Sequence, residues 1–101
     1  MNQTYLKEHM IEELEGAKDY IQRAIEIKAM DSSWGKMFYE MSVQELAHAQ
    51  NFFKMAEDYY KKVTSAYSES PKYMDDCMCE ITDIYTEQYP QIKVMQDMYN
   101  R

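Results

Sequence analysis

A chain of 101 residues suffices for one small domain, and its composition excludes several classes of protein. The 18 acidic and 11 basic residues give a net charge of −7, which disfavours binding to nucleic acids or anionic membrane surfaces. We find neither a long apolar run typical of a membrane span nor the basic-then-apolar start of a signal peptide. We therefore expect a cytoplasmic protein that binds neither nucleic acid nor membrane.

The first helix is predicted from about Thr4 to Ala29, with Thr4 as a partial N-cap. Gly16 lies in its centre at a cost of about 1 kcal/mol relative to alanine, which a close backbone approach from a partner helix would explain. Glu13 is the acid that falls among the apolar positions. The other positions of this face are Leu6, Met10, Ala17, Tyr20 and Ala24, with Leu14 and Ile21 alongside.

Met30 to Ser33 form a short break, after which Ser32 or Ser33 is the expected N-cap of a second helix that ends near Ala66. So short a connection requires the two helices to be antiparallel neighbours. Apolar residues recur in the second helix at intervals of three or four, which indicates its buried face. A carboxylate and an imidazole interrupt this stripe, which reads Trp34, Phe38, Met41, Glu45, His48, Phe52, Met55 and Tyr59.

A third helical segment is predicted to begin with Ser70 as N-cap and Pro71 in the first turn. Pro90 should end or kink this helix near Tyr89, and a last short helix would then carry Ile92, Met95 and Tyr99. The expected fold is all-α. It comprises one domain, with an antiparallel hairpin at about 4–66 and a C-terminal helical segment at about 71–100.

Glu45 and His48 lie one helical turn apart on the apolar stripe. Burying an unpaired carboxylate there is costly, and coordination of a cation would offset the cost. Carboxylate together with imidazole suits iron, manganese or zinc. Glu13 lies about as far before the interhelical connection as these two residues lie after it, so antiparallel packing should bring all three to one level. The alternatives are a hydrogen bond between Glu45 and His48 at a wet interface and a solvent-exposed Glu13.

One hairpin supplies two carboxylates and one imidazole, which leaves open coordination positions on a metal. Two hairpins packed face to face about a two-fold axis would supply twice that number. Four carboxylates and two imidazoles are the ligands of a carboxylate-bridged di-metal site in a four-helix bundle. The sequence therefore predicts a homodimer as the smallest functional form.

These motifs resemble the ferritin-like superfamily. The stretch EELEGAKDY from Glu12 to Tyr20 and the stretch QELAHA at 44–49 are similar to the short, two-helix encapsulated ferritins. They are also similar to the first half of rubrerythrin, and the resemblance spans roughly residues 6 to 60. It implies a ferroxidase that oxidises Fe(II) to Fe(III) with dioxygen or peroxide, for iron storage or detoxification. The di-iron centre would lie between two half-ferritin subunits, and dimers could form larger rings.

The resemblance also assigns roles to individual residues. Glu13, Glu45 and His48 become the catalytic iron ligands, with manganese or zinc as other possible metals. Glu45 would bridge or chelate, and Tyr20 would lie just beyond the ligands. A weaker, secondary cation site would involve a pair of outer acids, Glu12 and Glu15.

The chain departs from the encapsulated ferritins at its C-terminal end, which reads Met98-Tyr99-Asn100-Arg101 instead of a docking peptide rich in Gly, Leu, Ile and Lys. This ending does not support association with an encapsulin shell. Two alternatives to a ferroxidase stay open. One is a helical oligomerisation module that uses metal as a staple without turnover, and the other is a di-metal protein that scavenges peroxide with the same ligands.

Overall fold

A computed structural model describes residues 2–101, and three α-helices account for most of them. The helices are α1 (Gln3–Ile27), α2 (Ser32–Thr64) and α3 (Lys72–Tyr99), and the described residues form no β-strand. The all-helical prediction is thereby confirmed. In the part of the chain described, no helix combines the length and the apolar character needed to cross a bilayer.

Two helices begin at residues other than the predicted caps. Asn2 is the N-cap of α1 and Asp31 is the N-cap of α2, and each side chain accepts a hydrogen bond from the backbone N–H three residues later. The predictions of Thr4 and of Ser32 or Ser33 as caps were wrong. Asn and Asp are at least as strong N-caps as Ser and Thr, so the earlier residue in each stretch captures the free N–H groups of the first turn.

The third helix also differs from its prediction at both ends. Its N-cap is Pro71, while the Ser70 hydroxyl donates to the Asp75 carboxylate instead of capping the helix. Pro90 lies inside α3, which continues to Tyr99, so the separate last helix was wrong. A helix-interior proline costs about 3 kcal/mol. Residues buried on both sides of Pro90 keep the two halves of α3 packed against the same core, and this offsets the cost.

The first two helices run antiparallel. The Ser42 hydroxyl donates to the Ala17 carbonyl across 2.7 Å, near the middle of α1. Nearer the interhelical turn, a Cβ built on Gly35 would lie 3.1 Å from the Lys28 Cα. Small residues thus allow the backbones of α1 and α2 to approach closely at both points.

The third helix packs against both others, parallel to α1 and antiparallel to α2. Near its start, the Met74 carbonyl accepts a hydrogen bond of 2.9 Å from the Gln3 amide. Near its end, the Gln96 amide donates to the Ser42 hydroxyl across 3.1 Å. Ser42 and Gln96 are both buried, so a hydrogen-bonded chain from α3 through α2 to the Ala17 carbonyl links the three helices inside the core.

The predicted apolar face of α1 is largely buried, whereas no residue of the predicted α2 stripe is fully buried. In α2 the buried residues are Gly35, Ser42, Leu46, Ala49 and Ala56. Trp34, Met41 and Met55 from the predicted stripe are 58%, 37% and 41% exposed. The prediction of the buried face of α2 was therefore wrong for this chain taken alone. The buried residues of α2 form the neighbouring stripe of the helix, and most of them have small side chains. These small side chains let α1 and α3 approach α2 closely.

We predict that Ser42→Ala destabilises the fold by about 1–3 kcal/mol, because it leaves the Gln96 amide buried without its acceptor. Urea unfolding followed by far-UV circular dichroism measures the loss. Ser33→Ala, at an exposed position of the same helix, is the control. Equal free energies of unfolding for the two variants would contradict the proposed contribution of this hydrogen bond to stability.

Candidate metal centre

The structure brings Glu13, Glu45 and His48 together, as the antiparallel register predicts. One potential ligand atom from each of them lies within 4.8 Å of the others. Glu13 projects from the middle of α1, and the other two project from successive turns of α2. They are the only group of three or more such side chains with this spacing among residues 2–101.

One carboxylate oxygen in this cluster lacks a hydrogen-bond partner. Oε2 of Glu13 is buried and accepts no hydrogen bond within the described chain. Its nearest basic neighbour is Nδ1 of His48 at 3.6 Å, a contact that is an ion pair only when the imidazole is protonated. A buried carboxylate oxygen without a partner is costly and uncommon, so this atom is available to a cation.

Gly16 provides the space that the Glu45 carboxylate occupies. A Cβ built on Gly16 would lie 3.1 Å from Oε2 of Glu45, closer than carbon normally approaches a carboxylate oxygen. The sequence predicted a close backbone approach at this glycine. Instead, the group that approaches is a side chain of the neighbouring helix, so that prediction was wrong in its detail.

The proximity of the two carboxylates raises the pKa of Glu45 to about 7. The largest cause is the adjacent Glu13 carboxylate, to which Glu45 can donate a hydrogen bond only when it is protonated. Burial and the negative charge of Glu13 raise the pKa further, whereas His48 lowers it. Two carboxylates held this close favour one shared proton, and a bound cation could take the place of that proton.

The donor set fits a first-row transition metal. Two carboxylates and an imidazole suit iron, manganese and zinc, and the unpartnered oxygen of Glu13 provides a ready ligand. The single chain offers three residues in this group, which leaves part of a coordination sphere to other ligands. The His48 side chain is 54% exposed, so the cluster is accessible from solvent.

The remaining predicted site residues lie outside the cluster. The Tyr20 ring packs at 6.2 Å from that of Phe38. Glu12 is exposed and its carboxylate lies 3.6 Å from the His9 imidazole. Glu15 is also exposed and lies at a groove between α1 and α3. Glu12 and Glu15 therefore have different neighbours. Neither belongs to a group of three or more potential metal ligands among the described residues.

Apolar side chains flank the cluster on both sides along the hairpin. Towards the interhelical turn, Trp34, Met37, Phe38 and Met41 line a shallow depression of about 300 Å³. In the other direction, the Phe52 ring stacks on the His9 ring at 5.4 Å and Met55 is exposed. We call this surface of α1 and α2 the open face, comprising the cluster with Trp34, Met37, Phe38, Met41, Phe52 and Met55.

The third helix packs elsewhere on α2. Its contacts to α2 include Ser42, Phe53 and Tyr60, which lie beside the open face and not on it. The large apolar side chains of the open face, such as Trp34, Met37 and Met41, are therefore not covered by α3. Sequence reasoning missed Met37 because it falls outside the stripe of three- and four-residue intervals.

Comparison with family models, with curated proteins and with solved structures finds no match to this chain. The resemblance to the ferritin-like superfamily accordingly stays a prediction that depends on the residues quoted above.

Glu45 should make the stability of the metal-free protein depend on pH. Its pKa is 4.5 ordinarily and about 7 in the fold, so the folded chain holds the proton more tightly. This stabilisation is fully present below pH 4.5 and is lost as the pH rises through about 7. Urea unfolding with a chelator present should show wild-type stability falling relative to Glu45→Gln over this range.

Glu40→Gln, at an exposed position of the same helix, is the control and should show no such relative change. A difference between wild type and Glu45→Gln that stays constant across the range would contradict the shared proton.

Proposed function

We propose that this chain is a ferroxidase that oxidises Fe(II) to Fe(III) at a di-iron site formed between two identical subunits. The observation that carries the proposal is the buried, unpartnered Glu13 oxygen inside a cluster of two carboxylates and an imidazole. The resemblance of the motifs to ferritin-like proteins points the same way.

A second copy of the chain would complete the ligand set. The cluster lies near the middle of α1, so a two-fold axis through it would pair the hairpins over most of their length. The two copies would then supply four carboxylates and two imidazoles to a pair of metal ions. The two hairpins would form a four-helix bundle, with an α3 packed on the outside of each.

The apolar groups of the open face suit this arrangement. Phe38 lies on one side of the cluster and Phe52 on the other. A two-fold axis through the cluster, perpendicular to the helices, would place the Phe38 end of one hairpin against the Phe52 end of its partner. Apolar side chains would therefore face each other on both sides of the cluster. Burial of exposed side chains such as Trp34, Met41 and Met55 would contribute about 25 cal/mol for each Å² removed from water.

Iron bound there would supply the electrons, since two Fe(II) ions, dioxygen and two protons give two Fe(III) ions and hydrogen peroxide. The residues of the chain hold and orient the metal. Glu13 and Glu45 provide negative charge that favours the ferric state, and His48 provides a neutral nitrogen ligand. Binding at neutral pH would displace the proton that Glu45 shares with Glu13.

The exposed apolar surface also favours a second candidate function, a metal-stapled oligomerisation module. Such a module would use the same three residues to hold a dimer together without turnover.

Anaerobic addition of Fe(II) followed by air distinguishes a ferroxidase from a metal-stapled module. Rapid growth of ferric absorbance indicates a ferroxidase, whereas tight zinc binding without iron oxidation indicates a staple. Peroxide scavenging would instead show faster oxidation with peroxide than with dioxygen.

We expect the double substitution Glu45→Ala/His48→Ala to abolish iron oxidation and to leave helicity nearly unchanged, since both side chains are at least partly exposed. Stopped-flow absorbance of ferric product and far-UV circular dichroism measure the two properties. Glu40→Ala/Asn51→Ala alters two exposed residues of the same helix and should oxidise iron normally. Oxidation at the wild-type rate in Glu45→Ala/His48→Ala would refute the proposed site.

Trp34→Glu should convert the dimer into a monomer. Trp34 is 58% exposed in the single chain, so the charge costs little there, but burial at a subunit interface would make it costly. Sedimentation equilibrium with and without zinc measures the mass. Tyr73→Glu, at a position on α3 that is 72% exposed, should leave the dimer intact. A monomeric wild type under both conditions would exclude the shared site.

A further inference from the structure

We infer that Gly16 is a positioning residue of the metal centre, an inference that rests on the proposed function. Gly16 contributes no ligand atom. Its role would be to leave open the space in which the Glu45 carboxylate lies against α1, one turn from Glu13.

The first reason is the length of the contact. Oε2 of Glu45 would lie 3.1 Å from any Cβ at position 16, and its carboxyl carbon would lie 3.6 Å away. Because the closest atom belongs to the end of a flexible side chain, an alanine at position 16 would move the carboxylate by a few tenths of an ångström without disrupting α1. The group that moves is one of the three that face the metal.

The second reason is that the helix backbones have little freedom to compensate. Residue 17 follows directly, and its carbonyl accepts the 2.7 Å hydrogen bond from Ser42, which lies one turn before Glu45 on α2. The Gln96 amide in turn holds the Ser42 hydroxyl from α3. These buried contacts fix the separation of α1 and α2 at the level of the cluster, so the Glu45 side chain itself must yield.

The third reason is the energetic cost of a glycine at this place. Glycine in a helix interior costs about 1 kcal/mol relative to alanine, and Gly16 adopts no positive φ that would require it. Backbone conformation therefore does not explain the residue. The space it leaves for the carboxylate does.

The test compares Gly16→Ala with wild type by two measurements on the full chain. Isothermal titration with Zn²⁺ should show a dissociation constant raised by about tenfold, the lower end of the loss found when the hydrogen-bonding partners of metal ligands are removed. The melting temperature without metal should not fall, since alanine favours the helix. Gln22→Ala, at an exposed position of the same helix, should leave the zinc affinity unchanged.

A double-mutant cycle without metal tests the contact separately. In a Glu45→Ala background the Gly16→Ala change should raise the melting temperature by about 4–8 °C, the usual gain for a domain of this size. With Glu45 present the gain should be smaller, because the carboxylate must move. Equal gains in both backgrounds would overturn the inference.

The zinc titration separates failure of the proposed role of Gly16 from failure of the proposed function. Wild type that binds Zn²⁺ and Gly16→Ala that binds it equally well would overturn the role of Gly16 alone. Wild type that binds neither Zn²⁺ nor Fe(II) would overturn the proposed function and the role of Gly16 with it.

Discussion

The contact that two side chains of α2 make with α1 at Gly16 and Ala17 is the constraint on which the rest of this molecule depends. One turn of α2 places the Ser42 hydroxyl on the Ala17 carbonyl, and the next places the Glu45 carboxylate against Gly16. Any side chain at position 16 would contact that carboxylate, and loss of the Ser42 hydrogen bond would release the helix separation. The packing of the core and the geometry of the acidic cluster therefore have a common origin.

The position of α3 determines which surface is left for function. It contacts α1 from Gln3 onwards and holds Ser42 through Gln96, and these contacts cover the side of the hairpin that carries the smaller residues. The open face retains large apolar groups and the three potential ligands. A buried carboxylate oxygen without a hydrogen-bond partner lies within it, and a cation bound there would offset the cost of burying that oxygen.

Helical periodicity and register predicted much of this fold and the central cluster. Glu13, Glu45 and His48 could be placed at one level because a short connection forces antiparallel packing, and distance along a helix is fixed at about 1.5 Å per residue. Local signals were less reliable. Asn2 and Asp31 capped their helices instead of the nearby hydroxyl residues, and α3 continued through Pro90, where packing outweighed the missing hydrogen bond.

The sequence by itself determined the helices, the apolar face of α1 and the coincidence of three potential metal ligands, because these follow from helical periodicity. Only the tertiary structure decided which of two neighbouring stripes of α2 is buried. That choice depends on side-chain volume at a contact with two partner helices, with Ser42, Leu46 and Ala49 covered while Trp34 stays exposed. The unpartnered Glu13 oxygen also follows from that packing, which periodicity alone does not specify.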